Sequence, residues 1–375
     1  MRRIGFTTIA AVVTLVAVAH DARAQTPAAS APATPAAAPP AATPAATAPE
    51  AISDDRLLKG HRFLFPILQE QIPFATTHFG VRQGLALATF PKVPLGPLGR
   101  IDLSASGLAQ NFDAGIRITD WLSIGATGAG QVITGININS IVLQGANFTA
   151  GAEAGPQLRL FRSESSGTRV SVSLTGGGAT GRAVSVLPLV SALIATSGQS
   201  LDTVLNGNIG KLVLVPTSSA TFAGTVSAAQ TLTPNFALVG SLQGRYTNDV
   251  QSPFDATKNA SVDVSSSNVQ IKGALAVTAD GSPSGIPVAL MLEYLADNSN
   301  TTSGSTAGPS ESASELAHFV AAGVYYSGRP SLQVGVGGAY QLGLKPLAGI
   351  DAAGAPAKSD APSLLFGQFI LRYIW

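Results

Sequence analysis

The sequence predicts an all-β chain, a transmembrane antiparallel up-and-down barrel of about twelve strands, and three observations lead there. Only 11% of the 375 residues are Asp, Glu, Lys or Arg, against roughly 25% in an ordinary soluble domain. The surface is therefore too poor in charge to be bathed entirely by water. Hydrophobic residues make up 45%, yet beyond the N-terminus no run reaches the roughly 20 apolar residues that a membrane helix needs. From residue 75 to Trp375 the chain repeats a period-two alternation of apolar and polar residues, which places each set on one face of a strand and would scatter it around a helix.

The chain begins Met1-Arg2-Arg3, continues through the apolar Ile4 to Ala19, and reaches Ala22-Arg23-Ala24 before Gln25. A charged head, a short apolar core and a small-x-small cleavage site predict a signal peptide over 1–24, and hence export. Gln25 to Glu50 is almost wholly Ala, Pro and Thr. It has too little to bury against the entropy of ordering, and reads as a disordered linker. Ser53-Asp54-Asp55 reads as a helix start, with Arg56 to Leu64 as a short amphipathic helix ending near Pro66. Residues 51–74 are thus expected to be a short helical or irregular connector covering the base of a barrel that spans 75–375.

The alternation is explicit in Asn235 to Tyr246, where Phe236, Leu238, Leu242 and Tyr246 oppose Asn235, Ser241, Gln243 and Arg245. Asn268 to Ala279 sets Val269, Ile271, Leu275 and Val277 against Asn268, Gln270, Lys272 and Thr278. Strands are expected near 75–90, 102–118, 121–134, 149–162, 168–182, 219–231, 235–247, 265–279, 286–297, 315–327, 331–344 and 362–375. Short joints alternate with longer ones near 183–218, 248–264, 298–314 and 345–361, as when all hairpins of one kind share a rim. An even count leaves both chain ends on the short-turn side. In 101–118 the apolar phase changes around Leu108, which predicts a bulge or a later strand start.

The chain ends Phe366-Gly367-Gln368-Phe369-Ile370-Leu371-Arg372-Tyr373-Ile374-Trp375, and Phe369, Leu371, Tyr373 and Trp375 form one apolar, largely aromatic face. This resembles the terminal strand of Gram-negative outer-membrane β-barrel proteins. Ile118-Thr119-Asp120-Trp121-Leu122 and Leu232-Thr233-Pro234-Asn235-Phe236 also resemble their periplasmic turns. The resemblance covers roughly 75–375 and names no subfamily. It implies outer-membrane lipid as the surrounding phase, Sec-type export, and the barrel-assembly machinery as the partner that reads the four terminal residues.

Asp113, Arg117, Glu153, Arg159, Arg169, Arg245, Lys272, Glu293 and Arg372 take the phase opposite the apolar faces. A lipid-facing Arg or Lys near mid-bilayer costs about 2–4 kcal/mol, so these nine are expected to line the lumen. There they serve either a polar passage favouring anionic or neutral solutes or a salt-bridged network that fills a narrow barrel. The apolar joint 183–218 is expected either to pack over the rim or to fold inward as a constriction. Cys is absent and the formal net charge is +1, so no thiolate chemistry, no cofactor, no metal cluster and no nucleic-acid partner are expected. The preferred reading is a porin-like channel or transporter for small solutes. The alternatives are a closed, adhesin-like surface barrel and, less favoured, a lipid-acting enzyme using His318, around which the expected Ser-Asn-Gly pattern is missing.

Overall fold

The computed structural model describes residues 55–69, 71–94, 99–136, 146–184, 214–252, 254–255, 260–305 and 308–375. The expected signal peptide, the Ala/Pro-rich linker and the core of the apolar joint, 185–213, lie outside the described residues. Twelve antiparallel strands form a closed barrel. They are β1 (His78–Pro94), β2 (Arg100–Arg117), β3 (Leu122–Gly135), β4 (Ala146–Ser163), β5 (Thr168–Val184) and β6 (Leu214–Thr233), then β7 (Phe236–Gln251), β8 (Val264–Asp280), β9 (Val288–Ser305), β10 (Gly308–Tyr326), β11 (Leu332–Leu342) and β12 (Ser363–Ile374). Each pairs with its neighbours in sequence, and β12 closes on β1 from Ser363–Thr89 to Ile374–His78. Closure gives every strand of the barrel a neighbour on both sides, so no open sheet edge runs along it.

The outer surface divides into rings. Near the short turns it carries exposed Phe79, Trp121, Phe161, Phe236, Tyr326, Tyr373 and Trp375; further along the strands it carries Phe148, Phe222, Tyr246, Tyr294 and Tyr340. Between them stand Leu85, Leu108, Ile124, Leu174, Val226, Leu242, Leu275, Leu292 and Val336, all exposed. Among the described residues no Asp, Glu, Lys or Arg takes an outward position between the rings. On β7 the rings stand ten residues apart, Phe236 to Tyr246. At about 3.3 Å per residue and a tilt of about 40°, that is a band roughly 25 Å high.

Four local expectations are corrected. β2 is unbroken against β3 from Ala105–Gly135 to Arg117–Ser123. The irregularity instead lies in β1, between Phe90 and Val93. The apolar phase changes in β2 because Ala105 turns inward and buries itself with Ala88 and Leu364 towards the long-loop end. Most of the expected joint 298–314 is strand, since β9 runs to Ser305 and β10 starts at Gly308. The joints 248–264 and 345–361 carry small hairpins, Phe254–Asp255 with Ala260–Ser261 and Ala348–Ile350 with Pro356–Lys358.

The fourth correction concerns the N-terminal segment. Arg56 to Leu64 forms no helix: Leu57 pairs with Arg62 and Leu58 with His61 in a two-residue hairpin. Its turn residues, Lys59 at φ 47° and Gly60 at φ 81°, occupy the left-handed region that such a turn requires at both positions. The segment is also no cover on the base, because it enters the barrel.

Candidate functional site

Residues 55–69 and 71–77 fill the lumen from the short-turn end. Leu58, Phe63, Leu64, Phe65, Ile67, Ile72 and Phe74 are buried in one cluster with inward side chains of the wall, among them Val239, Met291, Tyr325, Ile370 and Ile374. Phe63 packs on Phe74 with ring centroids 4.8 Å apart. Burying such side chains contributes roughly 1.5–3 kcal/mol apiece, so apolar packing is the main force seating this plug. Among the described residues it forms no strand pairing with the barrel; side chains of the wall hold its backbone instead.

Several polar anchors do so, Thr231 on the Leu58 carbonyl and Gln157 on the Ile72 carbonyl among them. Glu293, buried on β9, accepts the backbone N–H of Ile67 on one carboxylate oxygen and that of Leu68, at 2.9 Å, on the other. Gln333 on β11 accepts the Phe65 N–H at 3.2 Å and donates to the Phe65 carbonyl at 3.1 Å. Arg169 on β5 donates to the Pro73 carbonyl and lies 4.8 Å from the centre of the Phe74 ring. It also pairs with Asp55 at 2.7 Å, while Arg162 holds the other Asp55 oxygen at 2.6 Å. Each anchor satisfies charges or amides that would otherwise be buried without partners.

The nine residues expected to line the lumen fall into three groups. Arg372 sits 2.7 and 2.8 Å from the two Asp113 oxygens, with His78 at 3.1 Å and Arg82 at 3.8 Å. The Arg372 guanidinium lies 3.6 Å from the Phe65 ring centre. Asp113, Arg372, Arg169 and Glu293 thus bear on the plug, directly or through one another. Glu153 and Arg245 form an ion pair at 2.6 Å across the lumen wall, and Lys272 lines a small cavity at the plug tip beside Leu68 and Gln69. Arg117 and Arg159 belong to the short-turn rim, where Arg117 binds Asp120 and the Arg159 N–H donates to the Trp121 carbonyl. Phe369, Leu371 and Tyr373 face outwards on β12. Trp375 follows them, its N–H bonded to the Thr77 carbonyl at 3.0 Å. His318 stands on the outer side of β10, and the Tyr294 hydroxyl shares a 2.7 Å hydrogen bond with it.

The plug leans on one wall. Its apolar cluster includes inward residues of β6 to β12. Towards β3, β4 and β5 it leaves a cavity of about 60 Å³ lined by Gln71, Thr127, Glu153, Gln157, Ser173 and Thr175 among others. That is room for a few waters, each needing at least about 10–15 Å³, and far below the roughly 300 Å³ of a small-molecule pocket.

His61 supplies a pH handle at the plug base. Its Nδ1 lies 3.0 Å from the Pro234 carbonyl and its Nε2 2.9 Å from the Thr278 hydroxyl, which fits a neutral ring carrying its proton on Nδ1. Burial pushes the imidazole pKa down, opposed by the Pro234 hydrogen bond and the Asp280 charge. Once released, the ring regains its ordinary value of about 6.5. The seated plug is thus fully stable above that pH and loses stability as pH falls through it towards the depressed value. Proteolysis of the plug in the folded barrel should accelerate from pH 7 to pH 5, and His61→Gln should flatten that dependence.

No family model matches this chain, and no curated protein matches it. Among solved structures it is similar to the translocator domain of the autotransporter NalP from Neisseria meningitidis. That match has 8% identity and a TM-score of 0.45 over 80% of this chain and 89% of that one. It is also similar to the transport unit of the autotransporter AIDA-I from Escherichia coli (12% identity, TM-score 0.46, 84% and 94% covered). A third similar structure is the Pseudomonas putida toluene transporter TodX, with 12% identity, a TM-score of 0.36, and 80% and 90% covered.

Proposed function

We propose that this chain is an outer-membrane channel or transporter for small solutes, closed at rest by the plug. The observation that carries this reading is the pairing of an uncharged outer band with a polar lumen blocked by a non-covalent plug. An apolar band roughly 25 Å high between aromatic rings matches the hydrocarbon layer that such barrels span. A sheet whose outer face carried that many exposed Leu, Val and Phe side chains would aggregate in water. The terminal aromatic face of β12 and the export signal expected at 1–24 support the outer membrane as that layer. The cavity of about 60 Å³ beside the plug admits water but no small-molecule solute, and on this reading the plug moves to let solutes pass.

The chain lacks cysteine, which makes a test direct. Cysteines placed at 61 and 278, whose side chains now touch, are bridged by a short cleavable thiol reagent. In planar bilayers the unbridged barrel should show openings; bridging should abolish them, and cleavage should restore them. A folded barrel that conducts equally when bridged, or that never conducts even after the plug is loosened, refutes the reading. In the open state Glu153, Arg245 and Lys272 face the passage. Arg245→Glu with Lys272→Glu should shift reversal potentials towards cations, and unchanged selectivity would place these residues off the solute path.

A further inference from the structure

Tyr325 on β10 is 1% exposed, packs in the cluster that seats the plug, and holds a hydroxyl without a hydrogen-bond partner among the described residues. Burying an unbonded hydroxyl is a cost that a Phe at this position would avoid. Three cross-strand rows of inward residues climb from the short turns across β9, β10 and β11. The first is Ala289, Tyr325 and Gly335, the second Met291, Gly323 and Gly337, and the third Glu293, Ala321 and Ala339. The Tyr325 ring lies over Gly335 and reaches into the second row, where a Cβ added to Gly323 would meet its hydroxyl at 3.1 Å. Ile67 of the plug fills the same hollow, its Cδ1 2.8 Å from that added carbon and in the way of one added to Gly337. The tip of Ile67 thus occupies the row between Tyr325 and Glu293, whose two oxygens are taken by the Ile67 and Leu68 N–H groups. Glu293 is still near enough for its charge to bear on Tyr325.

We propose that Glu293 and Tyr325 form a latch with two sets of partners; the inference deepens the channel reading and rests on the plug leaving its seat. With the plug seated, Glu293 binds the plug amides and Ile67 caps the hydroxyl. With the plug released, Ile67 vacates the hollow and the Tyr325 hydroxyl donates to the Glu293 carboxylate. The carboxylate then loses two donors but gains a charge-assisted bond, the stronger kind, and a hydroxyl that had no partner is satisfied. Seated and released states come closer in free energy than the loss of two amide bonds alone would set them. The absence of a side chain at Gly323 is what makes the hollow, since a Cβ there would crowd both the hydroxyl and Ile67.

The test is amide hydrogen exchange at positions 67 and 68 in the full-length barrel in detergent micelles, which reads plug release whether or not solute passes. Tyr325→Phe relieves the unpaired hydroxyl of the seated state and deletes the bond of the released one. Exchange at both amides should slow about tenfold, with heat-modifiable gel mobility unchanged. A hydroxyl that merely packs would leave exchange unchanged or faster when removed, and either result overturns the proposal. Ile67→Ala uncaps the hydroxyl while the plug is seated, so adding Tyr325→Phe to it should alter exchange by less than about twofold. The same slowing in that background as in the wild type would also overturn the proposal. Slowed exchange in a barrel that never conducts would leave the latch standing and sink the channel reading alone.

Discussion

Replacing Glu293 by alanine should open the barrel. Its two carboxylate oxygens accept the Ile67 and Leu68 N–H groups deep in the lumen. The alanine variant leaves both donors buried without partners, at about 1–3 kcal/mol each. Even the lower end, about 2 kcal/mol for the two, shifts plug release roughly thirtyfold. The barrel itself should survive, because its ladder is backbone hydrogen bonding to which this side chain contributes nothing. The measurement is mean current in planar bilayers, paired with hydrogen exchange at Ile67 and Leu68. Glu293→Gln, which keeps one acceptor, should fall between the two. Unchanged current together with unchanged protection of those two amides would show that Glu293 does not hold the plug.

The second large effect concerns folding of the wall. A Cβ added to Gly155 would fall on the Leu174 carbonyl oxygen, and one added to Gly177 would fall on the Ala152 carbonyl oxygen. Backbone atoms of neighbouring strands cannot swing aside as a flexible side chain does, so β4 and β5 would have to separate. Gly177→Val should cost more than about 4 kcal/mol and remove the heat-modifiable folded band from gels. Gly125→Ala is the control. Its added carbon meets nothing nearer than the Ala114 carbonyl at 3.9 Å, and its effect should stay within about 0.5 kcal/mol.

The strands were legible because an apolar outer face and a polar or plug-facing inner face alternate along them, and alternation is what a period-two reading detects. Where a strand outruns the band, the signal fades. Beyond Asn298 on β9, both faces carry Asn, Thr, Ser and Gly, so a continuous strand reads as a loop. The plug was illegible for the opposite reason. Phe63-Leu64-Phe65-Pro66-Ile67-Leu68 is apolar at nearly every position and shows neither period, since it is surrounded by protein on all sides.

A trace of it does exist in the wall. Ala237 and Val239, Met291, Tyr325, Ile370 and Ile374 sit on the inward phase near the short turns, the phase otherwise held by Ser, Gln and Arg. Apolar residues on both faces of a barrel strand imply that something apolar occupies the inside. Asp113, Arg169, Glu293 and Arg372 are suited to a polar passage by sequence, but only the folded chain shows Phe65, Phe74 and the plug backbone beside them.

Plug and wall are joined by a single peptide step, from Thr77 into His78 at the foot of β1. A stopper on so short a leash never leaves: once dislodged, it remains at a millimolar-scale effective concentration about its own seat. Resealing is then a unimolecular event, indifferent to how much protein is in the membrane. On the proposed reading, the balance between seated and released plug would then be set by its own packing and polar anchors rather than by encounter with any external inhibitor.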